Sequence, residues 1–236
     1  MSLCIDPEPP PWAYWVRDSQ GNRTTELTGI SVDIVHAAFR KIGVGVVIHG
    51  NFPWARCMKM VASGQIDFAM DAYEDADRIK TFSFSRPYRT LTPYIFFRRA
   101  DPVDVHNAQD LRLRHGCGLQ GWSYAHYGLA SGDLDLGVGM DTMVRKLKAK
   151  RCDYFVEEIE TVYSAKFNGS DLLADPELGR TPAPWAKAPQ CHLMTRKGSA
   201  AEALIPRINA ALTDLIGSGK AAAIWQRYAP ELPFSP

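Results

Sequence analysis

Long apolar runs are missing from this chain: none approaches the roughly 20 residues that cross a bilayer as a helix. A net charge is missing too. Its 27 Lys and Arg balance 26 Asp and Glu, leaving +1, so no broad field draws in nucleic acid or an anionic membrane. The five cysteines, Cys4, Cys57, Cys117, Cys152 and Cys191, form no CxxC pair, and the six histidines include no HExxH. A zinc site is therefore not expected, nor any other metal or cofactor. No nucleophile–base pair stands out. No basic segment followed by an apolar core opens the chain, so any signal peptide is expected to have been removed.

What is present is an ordinary globular composition, 46% hydrophobic and 22% charged over 236 residues, long enough for two small lobes with separate cores. A short strand is expected at 3–6, then a rigid extended loop over the PEPPPW segment. Val32, Ile34, Val35, Ala38, Phe39 and Ile42 follow helical spacing, with Ser31 as N-cap and Gly43 as stop. A β-branched strand at 44–48 and a helix from Pro53-Trp54 to Gly64 follow. After a strand at 94–98 the same grammar returns. A strand at 117–119 leads through Gln120-Gly121-Trp122-Ser123 into a helix, then come a helix at 141–148, a strand at 154–156 and a helix at 159–167. A strand at 190–195 and helices at 201–216 and 219–228 close the chain. The fold class is α/β, with two lobes, each a doubly wound and mostly parallel sheet with flanking helices.

The stretch from Gly64 to Tyr88, GQIDFAMDAYEDADRIKTFSFSRPY, organises the rest. Gly64 ends a helix, and IDFAM reads as a buried strand. Asp71, Tyr73, Glu74, Asp75, Asp77 and Arg78 crowd its carboxyl end, where open α/β sheets collect ligands. The order of G-x-I-D, apolar strand, acidic turn, Arg and F-S-x-P-Y resembles the periplasmic amino-acid-binding proteins of ABC importers, extracellular solute-binding family 3. The segments D-P-x-x-x-P-W, GISVDIVHAAFRKIG, LQGWS, KRCDYFVEE and GSGKAAAIWQRY extend the likeness over nearly the whole chain.

That resemblance implies a two-lobed binding-protein fold, with lobe one formed by 1–88 and 193–236 and lobe two by 89–192, closing at hinges near 89–92 and 189–192. It implies that Arg78 holds a ligand carboxylate; the alternative is a surface arginine paired with Asp75 or Asp77. Glu158 stands where the family usually has an aspartate for the ligand's ammonium; otherwise it is a helix-start acid favoured by the macrodipole. Ser123 is expected at a helix start, beside Leu119 and Trp122 of the LQGWS motif. Trp12, Trp54, Tyr73 and Trp122 form an aromatic rim, although Trp12 and Trp54 suit a core equally. Asp71 departs from the family's small hydroxyl residue. It either faces a cationic ligand tail or, the favoured reading, pairs internally with Arg56 or Arg78.

The implied function is capture of a small polar solute, an amino acid or relative, by a monomer that hands it to a membrane permease in the periplasm. Two alternatives share the scaffold: a cyclohexadienyl-dehydratase-like enzyme with Glu157 or Glu158 as general acid, and the sensing domain of a receptor. Any disulfide should lie within one lobe, Cys4–Cys57 first, against the equal alternative of five buried thiols.

Overall fold

The computed structural model describes residues 1–7, 9–120 and 122–236. In chain order the elements are β1 (Ser2–Cys4), β2 (Tyr14–Arg17), β3 (Arg23–Thr28), α1 (Ile30–Lys41), β4 (Val47–His49), α2 (Trp54–Ser63), β5 (Phe68–Ala72), α3 (Arg78–Thr81), β6 (Phe82–Phe84) and β7 (Arg89–Thr90). Next come β8 (Pro93–Arg98), α4 (Ala108–Arg112), β9 (Gly116–Leu119), β10 (Leu134–Gly137), α5 (Met140–Lys148), β11 (Tyr154–Glu158), α6 (Ile159–Ser164) and β12 (Leu178–Pro182). The last are β13 (Gln190–Arg196), α7 (Ile205–Gly217) and α8 (Lys220–Tyr228). They form two compact units, Met1–Thr90 with Gln190–Pro236, and Leu91–Pro189.

The first unit is built on the sheet β4-β1-β5-β13-β6. β1 pairs in parallel with β4 and β5, and β13 runs antiparallel to β5, β6 and β7. Helix α1 turns Val32, Val35, Ala38 and Phe39 inward and packs against α7 and α8. Its N-cap is Gly29, and Ser31 lies buried inside the helix with its hydroxyl unpartnered among the described residues. The expected serine cap is thus replaced by a glycine, for a steric reason. At Gly29 φ is +125°, and a Cβ there would sit 2.3 Å from the Trp12 carbonyl oxygen. Gly64 closes α2 in the left-handed conformation at φ +76°, as its place after an amphipathic run requires. Cys57 on α2 is bonded to Cys4 on β1.

The second unit repeats this plan: β10, β9 and β11 are parallel, β8 runs antiparallel beside β11, and β12 pairs antiparallel with β8 at the edge. All five residues of β11 are buried, the pattern of a strand covered on both faces. Phe96 and Phe155 stack at 4.8 Å, and Cys117 is bonded to Cys152. Both bridges therefore lie within a unit; Cys191 is buried and belongs to neither.

Candidate ligand site

At the end of β5 the backbone of Asp71 takes φ +53°, a conformation few residues other than glycine adopt and one that aspartate tolerates. The Tyr88 hydroxyl holds it twice. It accepts the Asp71 N–H at 2.8 Å and donates to Asp71 Oδ1 at 2.6 Å. Arg89 Nη2 donates to Oδ2 at 3.1 Å. The two charged side chains are 5% and 1% exposed, and the Arg89 guanidinium lies 4.7 Å over the Trp12 ring. Burial first, then the Asp71 charge, pushes the Tyr88 phenol well above its ordinary pKa.

Asp71 is therefore paired internally, but with neither arginine considered from the sequence. Arg56 lies over the Phe52 ring, and Arg78 turns to Asp75 and Tyr73. The reason is sheet register: β13 pairs His192 with Ala72 of β5 and Cys191 with Arg89 of β7, which sets Arg89 beside Asp71.

In front of this pair the first unit has a cavity of about 500 Å³. Trp54, Tyr73, Arg78 and Asp71 line it, together with Asp6, Met70 and the loop that follows β1. Two of the Arg78 nitrogens are pinned: Nε lies 3.2 Å from Asp75 Oδ2, and Nη1 donates to the Tyr73 carbonyl at 2.7 Å. Among the described residues Nη2 has no protein partner. The Arg78 and Asp77 N–H groups both donate to Asp75 Oδ1. The Arg78 N–H is the main cause that holds the Asp75 carboxyl below its ordinary pKa.

Trp54 opens α2, donating its N–H to Asp6 Oδ2 at 3.0 Å, and its ring lies 5.5 Å from the Arg78 guanidinium. The arrangement is a fixed guanidinium edge beside an indole and an aspartate. It matches a carboxylate at one end and a cation at the other.

Trp12 is not part of this lining. It is 3% exposed and packs at 5.4 Å against Trp225 of α8.

The remaining expected site residues belong to the second unit. Leu119 is a core residue, 6% exposed, and its N–H donates to the Tyr124 hydroxyl at 2.6 Å. Burial pushes that phenol up to about 12. Trp122 is 47% exposed. No α-helix begins at Ser123: the chain makes one 3₁₀ turn over Ala125–Tyr127, preceded by Tyr124, so Ser123 caps nothing. Three residues followed by Gly128 at φ +74° leave no room for a longer helix. The turn expected at Gly121 lies outside the described residues, as does Glu8 of the PEPPPW loop.

Glu158 ends β11, 5% exposed, with Oε1 2.6 Å from His126 Nε2 and 3.4 Å from the Tyr127 hydroxyl. Burial raises its pKa, but the His126 hydrogen bond and the contact with Glu157 outweigh burial and leave it below the ordinary value. Glu157, 1% exposed, is pushed well above its ordinary pKa by burial and then by Glu158. Burial thus favours the protonated form of Glu157, while the His126 hydrogen bond favours the ionised form of Glu158.

Sequence reasoning missed Asp6, Tyr88, Arg89 and His126. Asp6 had a signal, since it opens the D-P-x-x-x-P-W motif at a strand end. Arg89 and His126 had none.

The family model for bacterial extracellular solute-binding proteins, family 3, matches residues 1–231. The chain belongs to that family. As a family 3 solute-binding protein it has solved structural neighbours over its full length. The arginine-, lysine-, histidine-binding protein ArtJ of Geobacillus stearothermophilus is 18% identical, with 98% of this chain and 96% of that one covered at TM-score 0.63. An ancestral cationic amino acid solute-binding protein is 17% identical over 97% and 94%, at 0.68. A histidine kinase sensor domain similar to periplasmic binding proteins is 21% identical over 97% and 95%, at 0.65. At these identities the likeness is one of fold. Comparison with curated sequences gives no significant match. No helix among the described residues is long and apolar enough to cross a membrane.

Proposed function

We propose that this family 3 protein captures a free amino acid with a cationic side chain in the periplasm and delivers it to the permease of an ABC importer. The observation that carries the reading is the Arg78 guanidinium. It is held at two nitrogens with the third open, and it borders a 500 Å³ cavity with Trp54 and Tyr73. A fork fixed in this way receives a carboxylate at little further entropic cost. Asp6 and the two aromatic rings give the cavity its preference for a cation, in keeping with the cationic ligands named for ArtJ and the ancestral protein.

A thermal-shift panel tests this. Arginine, lysine and histidine at about 100 times Kd should stabilise by about 2.7 kcal/mol, roughly 5–10 °C for a chain of this size. Glutamate and leucine should do less. A response to putrescine alone, which has no carboxylate, would overturn the role of Arg78.

A further inference from the structure

We infer that Arg89 sets the charge selectivity of the cavity by neutralising Asp71 from behind its wall. Asp71 lines the cavity, yet its side chain is only 5% exposed, so the surface it offers is mainly backbone. Its charge still acts there, because a buried carboxylate is poorly screened. Three groups face that carboxylate: Arg89 Nη2, the Tyr88 hydroxyl and the Asp71 N–H through that hydroxyl. Of these only Arg89 carries charge, and it is 1% exposed.

With Arg89 in place, the other charged groups at the lining among the described residues are Asp6 and Arg78 with its partner Asp75. Without it, one more negative charge stands at the wall, opposing the ligand carboxylate that Arg78 attracts. Arg89 is not among the residues that line the cavity and reaches it through Asp71, so it is a positioning and charge-setting residue. The inference rests on the amino-acid reading above.

The test compares L-arginine with L-citrulline, which has the same shape without the side-chain charge, by calorimetry on the full chain. Arg89→Gln should raise the preference for arginine over citrulline about tenfold, chiefly by weakening citrulline. Arg89→Lys keeps the charge and should leave the ratio within about twofold of wild type, even if it melts lower. The double variant Asp71→Asn/Arg89→Gln removes both charges and should also restore the ratio. A merely structural Arg89 would lower both affinities together in all three variants, and an unchanged ratio in Arg89→Gln overturns the inference.

A ligand-free measurement separates this from the amino-acid reading. Trp54 fluorescence, taken as the difference from Trp54→Phe, should be quenched less by iodide and more by caesium in Arg89→Gln, and should return to normal in the double variant. If wild type binds neither amino acid while this quenching pattern holds, the ligand reading fails and the charge-setting role stands. If the quenching ratio does not move, the charge-setting role fails by itself.

Discussion

Replacing Glu157 by Gln removes a titrating group without removing atoms. In the folded protein this carboxyl is 1% exposed, Oε1 accepts the Glu158 N–H at 3.2 Å, and Oε2 has no partner among the described residues. Burial and the neighbouring Glu158 charge keep it protonated far above its ordinary pKa. Its folded pKa is raised, so above about pH 4.5 the folded state holds a proton that the unfolded state releases. Stability therefore falls as pH rises, by up to about 1.4 kcal/mol for each pH unit, until the raised pKa is passed. Glu158 contributes the opposite sign: its lowered pKa adds stability above the ordinary carboxylate range that is lost on acidification. Wild type and Glu157→Gln share the part of that contribution that comes from His126. Urea unfolding at pH 5.5 and 6.5, with unchanged m-value, should show Glu157→Gln gaining up to about 1.4 kcal/mol on wild type over the interval. Parallel profiles would mean that Glu157 is ionised in the fold, and would refute the upward shift that burial gives it.

The two disulfides close loops of 53 and 35 residues. In the chain-entropy account each is worth about 4 kcal/mol, so Cys4→Ser/Cys57→Ser and Cys117→Ser/Cys152→Ser should cost nearly alike in denaturant unfolding. Non-reducing peptide mapping that finds a bridge joining one pair to the other would contradict the fold. Gly29→Ala should cost at least about 2 kcal/mol, since it forces a left-handed alanine Cβ to within 2.3 Å of the Trp12 oxygen. Gly21→Ala, at φ +83° with nothing within 4 Å, should cost about half that, and equal melting temperatures for the two would refute the packing argument.

Much of the fold was legible because it rests on local signals. The apolar spacing from Val32 to Phe39 and the run Phe68–Ala69–Met70 set an amphipathic helix and a buried strand, and Gly64 marked the turn between elements. The failures share a physical cause: the deciding partner is distant in sequence or acts on backbone alone. Gly29 displaced Ser31 as cap because Trp12 approaches from 17 positions away, which no spacing rule contains. Arg89, not Arg56 or Arg78, met Asp71 because β13 aligns two strands on its own register. The segment after Leu119 carries a serine and small residues that read as a helix start, but Tyr124 spends its hydroxyl on the Leu119 N–H and the chain turns once and stops. The place of Arg78 at the cavity was legible from its acidic turn and the family's motif order. His126 was not, since a lone histidine on a 3₁₀ turn announces nothing until the fold sets it 2.6 Å from Glu158.

The central claim is that Arg78 holds the carboxylate of an amino acid. Isothermal titration of L-arginine into wild type, Arg78→Ala and Arg78→Lys tests it most directly. Loss of one partner of a desolvated charge pair costs about 2–5 kcal/mol, so Arg78→Ala should bind roughly 30-fold or more weakly. Arg78→Lys should recover little, because a point charge cannot replace the fork that Asp75 and Tyr73 hold in place. Binding by Arg78→Ala at wild-type affinity would contradict the account, leaving Arg78 an ordinary surface partner of Asp75.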